Sequence, residues 1–222
     1  MRPLDELLSD DPAWPEVGGW ISQAGNSVEI LERDPARAEA TLLAVQVTTR
    51  SPMGAVAYET GGLLVDRGWL RILGGGGPRL ASLADWNGLS GLAVVEPLEG
   101  AMVVAHDAVG GLFALNGGRF EGEPGGTHYF GPDGLRWEDL RVGYSDFLWW
   151  ALSGDVSGFY AALRWPGWED DAAAIAPDEG FSLYPPPFTA EGRPIERASR
   201  RPVPMTELWD FYRRSAAGLG EG

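Results

Sequence analysis

Two short apolar runs, Leu63-Leu64-Val65 and Trp69-Leu70-Arg71-Ile72-Leu73, are separated only by Asp66-Arg67-Gly68. Strands that reverse within three residues pair in antiparallel fashion, and Asp and Gly tolerate the left-handed backbone such a reversal needs. The arrangement recurs at Ala101–Asp107 and Leu112–Asn116, around Val109-Gly110-Gly111. Thr127-His128-Tyr129-Phe130 reads as a further strand, stopped by Gly131-Pro132-Asp133-Gly134, and Val28-Glu29-Ile30-Leu31 as a short one. Antiparallel hairpins are therefore the centre of the expected fold.

Helical signals surround them. Leu4, Leu7 and Leu8 fit a short helix, and Asp11-Pro12 offers an N-cap and first-turn proline to a second helix carrying Trp14, Val17, Trp20 and Ile21. Asp34-Pro35 repeats that signal for a helix running to about residue 44. Further helices are expected over 79–86, 144–152 and 155–164. Residues 166–204 then hold eight of the seventeen prolines. This span is expected to wrap over the body or lie extended, with a polyproline II piece at Pro185–Pro187. Leu208, Phe211, Tyr212 and Ser215 follow at helical spacing, an amphipathic helix over 205–216 that docks on the core. The reading divides the chain into a core domain at 1–165 and a Pro-rich wrapping extension with a C-terminal helix at 166–222.

The 222 residues can bury a core without disulfides or metals. The formal charge of −15 is uneven: the first 190 residues hold 27 acids against 11 arginines, a balance of −16. Such a field repels phosphate backbones, so no nucleic acid is expected, whereas a basic protein would associate quickly. All seventeen basic residues are arginine and there is no cysteine. That removes P-loop and Schiff-base lysines, thiol nucleophiles and Cys-ligated zinc. No apolar run approaches the roughly 20 residues a bilayer span needs. The acidic, amphipathic N-terminus lacks a signal-peptide core, so no membrane is expected and the compartment reads as cytoplasmic.

Individual features have inexpensive structural explanations. The run Gly74–Gly77 lacks the Lys-Ser/Thr ending of a P-loop and reads as a flexible connection between a strand and a helix. His106 and His128 could join a carboxylate in a facial metal triad only if their strands paired in register; no metal or cofactor is expected. Asp10-Asp11, Glu138-Asp139 and Glu169-Asp170-Asp171 stand where helices or turns begin, where capping explains them. The dense tryptophans 149, 150, 165 and 168 are read as cover for the core beneath the Pro-rich span. The stretch Thr48–Gly62 is different: Thr49, Arg50, Ser51, Tyr58 and Glu59 bring hydroxyls, a cation and an anion into a long polar loop, the kind of segment that carries function.

The blocks Val47–Leu73, Asp85-Trp86-Asn87 and Tyr129–Tyr160 resemble a bacterial family catalogued as domain of unknown function 2625. The resemblance spans most of the first 165 residues and implies no catalytic residues. Gly68-Trp69-Leu70 and the aromatic helix Tyr144–Leu152 are more distantly similar to the SUKH superfamily. That resemblance implies an α+β fold, a curved antiparallel sheet flanked by helices, and a role as an immunity protein that neutralises a toxin domain or as an adaptor.

The expectation is a non-enzymatic protein-binding domain whose acidic concave face, including Glu59, Asp66 and Asp85, captures a basic protein. Trp69, Trp86 and Asn87 complete the candidate binding set. The competing expectation is a small-ligand binder or hydrolase-like enzyme that uses the Thr48–Gly62 loop, with Arg50 holding an anion and Tyr58 or Glu59 acting on it.

Overall fold

The computed structural model describes residues 1–91 and 94–219, and its centre is an antiparallel sheet whose strands follow one another in chain order. The strands are β1 (Val28–Leu31), β2 (Gly62–Val65), β3 (Leu70–Leu73), β4 (Ala101–Asp107), β5 (Leu112–Asn116), β6 (Thr127–Gly131) and β7 (Arg136–Asp139). The sheet is open, with β1 and β7 at its edges. A separate hairpin joins β8 (Glu179–Tyr184) to β9 (Ser199–Pro204). The helices are α1 (Leu4–Leu7), α2 (Trp14–Ser22), α3 (Pro35–Val45), α4 (Pro52–Glu59), α5 (Leu83–Trp86), α6 (Tyr144–Ser153), α7 (Val156–Phe159), α8 (Trp168–Ala174) and α9 (Met205–Leu219). The fold is α+β, as the hairpin signals required. No helix among the described residues is long and apolar enough to cross a membrane.

Cross-strand partners share a face, so the register defines two surfaces. Glu29, Leu64, Arg71, His106, Leu112, Phe130 and Trp137 are successive partners from β1 to β7. On this first face Trp209 of α9 meets Phe130 at 5.1 Å and Trp86 of α5 meets His106 at 5.0 Å. The second face carries Phe113 and Tyr129, against which Phe147 of α6 and Phe159 of α7 pack at 4.8 and 5.0 Å. The sheet is thus covered on both sides, and β2 and β3 are buried along their whole length.

Several local expectations are corrected. Thr48–Gly62 is not an open loop: it holds α4, whose N-cap Ser51 accepts from the Gly54 N–H at 3.1 Å. The Ser-Pro pair there is a cap followed by a first-turn proline, the signal already recognised at Asp34-Pro35, where the Asp34 side chain does accept from Ala36 and Arg37 N–H. Asp11 does not cap α2; Ala13 stands at that position and Pro15 lies in the first turn. The helix expected over 79–86 shrinks to four residues, and that over 155–164 to Val156–Phe159. Glu138-Asp139 belongs to a strand, because Arg136–Asp139 completes the sheet edge beside β6.

The span 166–204 is more ordered than its prolines imply, containing α8, β8, a 3₁₀ turn at Ile195–Arg197 and β9. It packs on its own chain: the Phe181 N–H donates to Ala108 O at 2.7 Å, and the Asp178 side chain accepts from the Ala81 N–H at 3.0 Å. Gly74–Gly76 are buried rather than flexible. A Cβ on Gly75 would lie 2.7 Å from Ala57 O and 3.0 Å from Ala38 Cα, so glycine is needed because backbone packs on backbone.

Candidate functional site

The sequence-derived binding residues do not converge. Thr49 is buried and ties the N-terminus down: its N–H donates to Leu7 O at 2.9 Å and its hydroxyl accepts from the Ser9 N–H at 2.8 Å. Ser51 caps α4, and Arg50 beside it is exposed. Tyr58 and Glu59 both engage Arg33 rather than Arg50. That guanidinium stacks 4.1 Å over the Tyr58 ring and lies 3.9 Å from the Glu59 carboxylate. Arg33, without Tyr58 or Glu59, lines an open cavity of about 440 Å³ with Gly61, Gly77 and Arg79.

Glu59, Asp66 and Asp85 stand on α4, the β2–β3 turn and α5, and each lies beside an arginine: Arg33, Arg164 and Arg37 respectively. Asp85 closes a reciprocal capping box with Ser82. Burial alone would raise its pKa, but hydrogen bonds from Ser90 and Ser82 and the charge of Arg37 outweigh that and hold it below its ordinary value. Asn87 is a clamp. Its amide donates to Leu83 O and Val103 O and accepts from the Val103 N–H, all at 2.8 Å, fastening α5 to β4. Trp86 beside it covers His106. His106 and His128 lie on β4 and β6, with β5 between them.

The site that sequence reasoning passed over is Arg71. In Trp69-Leu70-Arg71-Ile72-Leu73 it is the one charged residue in an otherwise apolar strand, and that was its visible signal. It is 1% exposed, and its Nε and Nη1 have no hydrogen-bond partner among the described residues. Removing a guanidinium from water without pairing it costs several kcal/mol. Burial lowers its pKa to about 10, opposed in part by Asp107, Tyr160, Asp178 and Glu179, so it remains a cation at neutral pH. Asp107, also fully buried, is already satisfied elsewhere. It accepts from the Val109 and Gly111 N–H groups at 3.0 and 2.8 Å and from the Tyr129 hydroxyl at 2.8 Å. Burial raises its pKa above the ordinary carboxylate value, those hydrogen bonds notwithstanding.

Arg71 lines a cavity of about 280 Å³ between β1–β3 and α8. Val28, Leu64, Ile175 and Pro177 make apolar walls, Ala172 and Ala173 bring in the last turn of α8, and Arg67, Arg79 and Glu29 stand around the cavity. Arg79 and Glu29 are paired, both about half exposed. Arg67 is exposed on the left-handed turn Asp66-Arg67-Gly68, where its N–H donates to the Ser27 hydroxyl at 2.9 Å.

An aromatic cluster holds this wall in place. Trp69 meets Tyr160, Trp165 and Trp168 edge-on at 5.8, 5.6 and 5.2 Å. The Arg164 guanidinium lies 3.6 Å over Trp168 and pairs with Asp66. Trp165 donates to Asp171 at 2.7 Å. Glu169, Asp170 and Asp171 occupy the first turn of α8, where acids suit the helix dipole. The tryptophans thus fasten α8 over the hairpin turn, beside the cavity. Among the described residues no group of three or more His, Asp or Glu side chains is placed to hold a metal ion.

The chain matches the sequence model of the family described as "Protein of unknown function DUF2625" over residues 4–208. It is 42% identical to the Escherichia coli (strain K12) protein YbfG over 213 residues, 95% of each chain. It is 40% identical over 187 residues to an uncharacterized protein of Haemophilus influenzae (strain ATCC 51907 / DSM 11121 / KW20 / Rd), covering 83% of this chain and 82% of the relative. A family match over nearly the whole length, with relatives at such identity, makes the chain a member of the DUF2625 family.

Proposed function

We propose that the chain is a non-enzymatic binding protein whose ligand is a small anionic molecule held at Arg71. One observation carries the reading: Arg71, whose fully buried guanidinium has two nitrogens without a hydrogen-bond partner among the described residues, borders a small cavity lined by apolar and charged side chains. Small-molecule sites commonly combine apolar walls with a few fixed polar groups, and arginine's planar fork is suited to binding anions. The nearby carboxylates give Arg71 a second role as their counter-charge, but none of them hydrogen-bonds it among the described residues. This moves the small-ligand reading from Thr48–Gly62 to the β3–α8 cavity. A cytoplasmic setting suits a chain without cysteine.

The test is calorimetric titration of the full chain with butyrate, inorganic phosphate and sulfate at pH 7.5. At least one is expected to bind saturably, and its affinity to fall tenfold or more in Arg71→Leu and in Ala173→Phe, which adds bulk at the cavity wall. Absence of binding by all three, or binding undiminished in both variants, overturns the reading.

A second reading, an immunity or adaptor protein that takes a basic protein partner, is favoured by a different observation. Trp149 and Phe159 stand 46% and 37% exposed on a chain of charge −15, and exposed aromatics are frequent interface anchors. Co-purification of a stoichiometric basic protein, released by salt and lost in Trp149→Ala, would support it. Retention of that protein by Trp149→Ala would remove Trp149 from the argument.

A further inference from the structure

We propose that the apolar recess beside β7 docks an extended segment of a basic protein, whose large apolar side chain enters the recess between flanking lysines or arginines. The inference rests on the basic-partner reading above and gives that partner a place and a mode of binding.

The recess is small and carries no charged side chain in its lining. Leu140, Val142, Phe147, Trp150 and Phe159 enclose about 220 Å³ on the second sheet face. Phe159 is exposed at the rim, Phe147 is buried at the base, and the other three are half-buried. The volume falls below the roughly 300–1,000 Å³ of small-molecule pockets and suits one large side chain instead. Aromatic recesses of this kind are where interface hot spots are seated.

An open strand edge adjoins it. β7 is an outer strand, and among the described residues no backbone hydrogen bond joins Arg136–Asp139 to anything but β6. Leu140 and Val142 continue directly from that strand. The Leu140 N–H donates to Thr127 O at 2.9 Å, and Val142 O accepts from the Thr127 N–H at 2.8 Å. Alternate residues of an edge strand turn their N–H and C=O groups outward, where an added strand pairs with them. In such strand addition the main chain supplies affinity and a side-chain pocket supplies specificity. Edge and recess are here one continuous surface.

Charge selects the occupant. Asp146 stands one helical turn before Trp150 on α6, and Asp155 O accepts from the Phe159 N–H at 3.2 Å, one turn before that ring. Both acids are exposed, and neither joins an ion pair among the described residues. From Arg136 to Phe159 the chain holds four acids (Glu138, Asp139, Asp146, Asp155) against Arg136 and Arg141, a balance of −2. This surface attracts a basic segment, whereas a second copy of the chain, also at −15, is repelled.

The experiment titrates the full chain into fluorescein-labelled heptapeptides, read by anisotropy. The probes are TKTLTKT and TKTFTKT. The controls are TKTATKT, TETLTET, and TKTLTKT N-methylated on its odd or on its even amides. At least one probe is expected to bind saturably, about tenfold or more tighter than TKTATKT and TETLTET. One of the two N-methylated peptides is expected to lose binding, since only one set of amides faces β7. Methyl NMR signals of Leu140 and Val142 should shift on binding. Asp146→Arg, an exposed change, should weaken the probes severalfold, and Leu140→Trp, which fills the recess, should abolish binding. Equal affinity for TKTATKT overturns the recess, and equal affinity for TETLTET overturns the charge selection. Binding unchanged by either N-methylation overturns the added strand. Unshifted Leu140 and Val142 signals overturn the location. No binding by either probe overturns the inference as a whole, while co-purification separately decides whether the chain has a basic partner.

Discussion

His106 shows what burial does to a titratable side chain. Its imidazole is fully buried against Trp86, and neither ring nitrogen has a hydrogen-bond partner among the described residues. Burial, then the charge of Arg71, push its pKa well below 6.5. The unfolded chain therefore takes up a proton below that pH which the folded chain refuses. This contribution to stability is complete above pH 6.5 and declines as pH falls, by up to about 1.4 kcal/mol per unit. Asp107 and Asp178, whose pKa values burial raises, act with the opposite sign. Their contribution is complete below 3.8 and lost as pH rises through their folded values. The difference between wild type and His106→Phe isolates the imidazole. Urea unfolding at pH 7.5, 6 and 5 should show the wild type losing ground to the variant below pH 6.5, and parallel pH profiles would mean that His106 is not held neutral. At this scale Arg71 was legible as a lone charge in an apolar strand. Whether it faced water or a cavity depended on α8, about a hundred residues away in sequence.

At the scale of elements, caps and turns were the readable features. Asp34-Pro35 starts α3 as its chemistry requires, and Asp66-Arg67-Gly68 turns through three consecutive left-handed residues with φ of 53°, 60° and 79°. The failures were elements too short to show a period. Four-residue α5 is held less by propensity than by Asn87, which satisfies both backbone groups of Val103. Asn87→Ala leaves that buried N–H and carbonyl unpaired and is expected to cost about 2–4 kcal/mol. Chemical denaturation would measure it, and a loss below about 1 kcal/mol would show that α5 is held by Trp86 packing instead. Strand β7 escaped notice for a related reason. Its burial is confined to Trp137, so Arg136, Glu138 and Asp139 mask any alternation.

For the whole molecule, the decisive arrangement is the cover on the first sheet face. Trp209 lies 5.1 Å from Phe130 and 6.3 Å from Trp137, while β8 hydrogen-bonds to Ala108 and α8 closes the Arg71 cavity. All of this comes from residues beyond 165. A chain ending at Trp165 would uncover Phe130 and Trp137, large apolar surface of the kind that drives aggregation. We expect residues 1–165 to be insoluble or to bind a hydrophobic dye strongly, and the full chain to do neither. A soluble 1–165 fragment with a cooperative melt would instead establish that span as a self-sufficient domain. Either outcome also bears on the ligand, since the cavity cannot exist without α8.

Local chemistry accounts for what the sequence determined by itself. Turn residues and apolar runs dictated the hairpins and hence an antiparallel α+β fold, proline and Asp or Ser placed the starts of α3 and α4 once both were read alike, and the missing lysine and cysteine removed whole classes of chemistry. Only the tertiary structure decided which face each strand turned to which cover. Side chains alternate along a strand, so the register and the distant layer above it determine whether a charge is solvated or enclosed. That long-range choice paired Glu59, Asp66 and Asp85 with arginines, made Asn87 a clamp, and left the Arg71 guanidinium buried on the wall of a cavity.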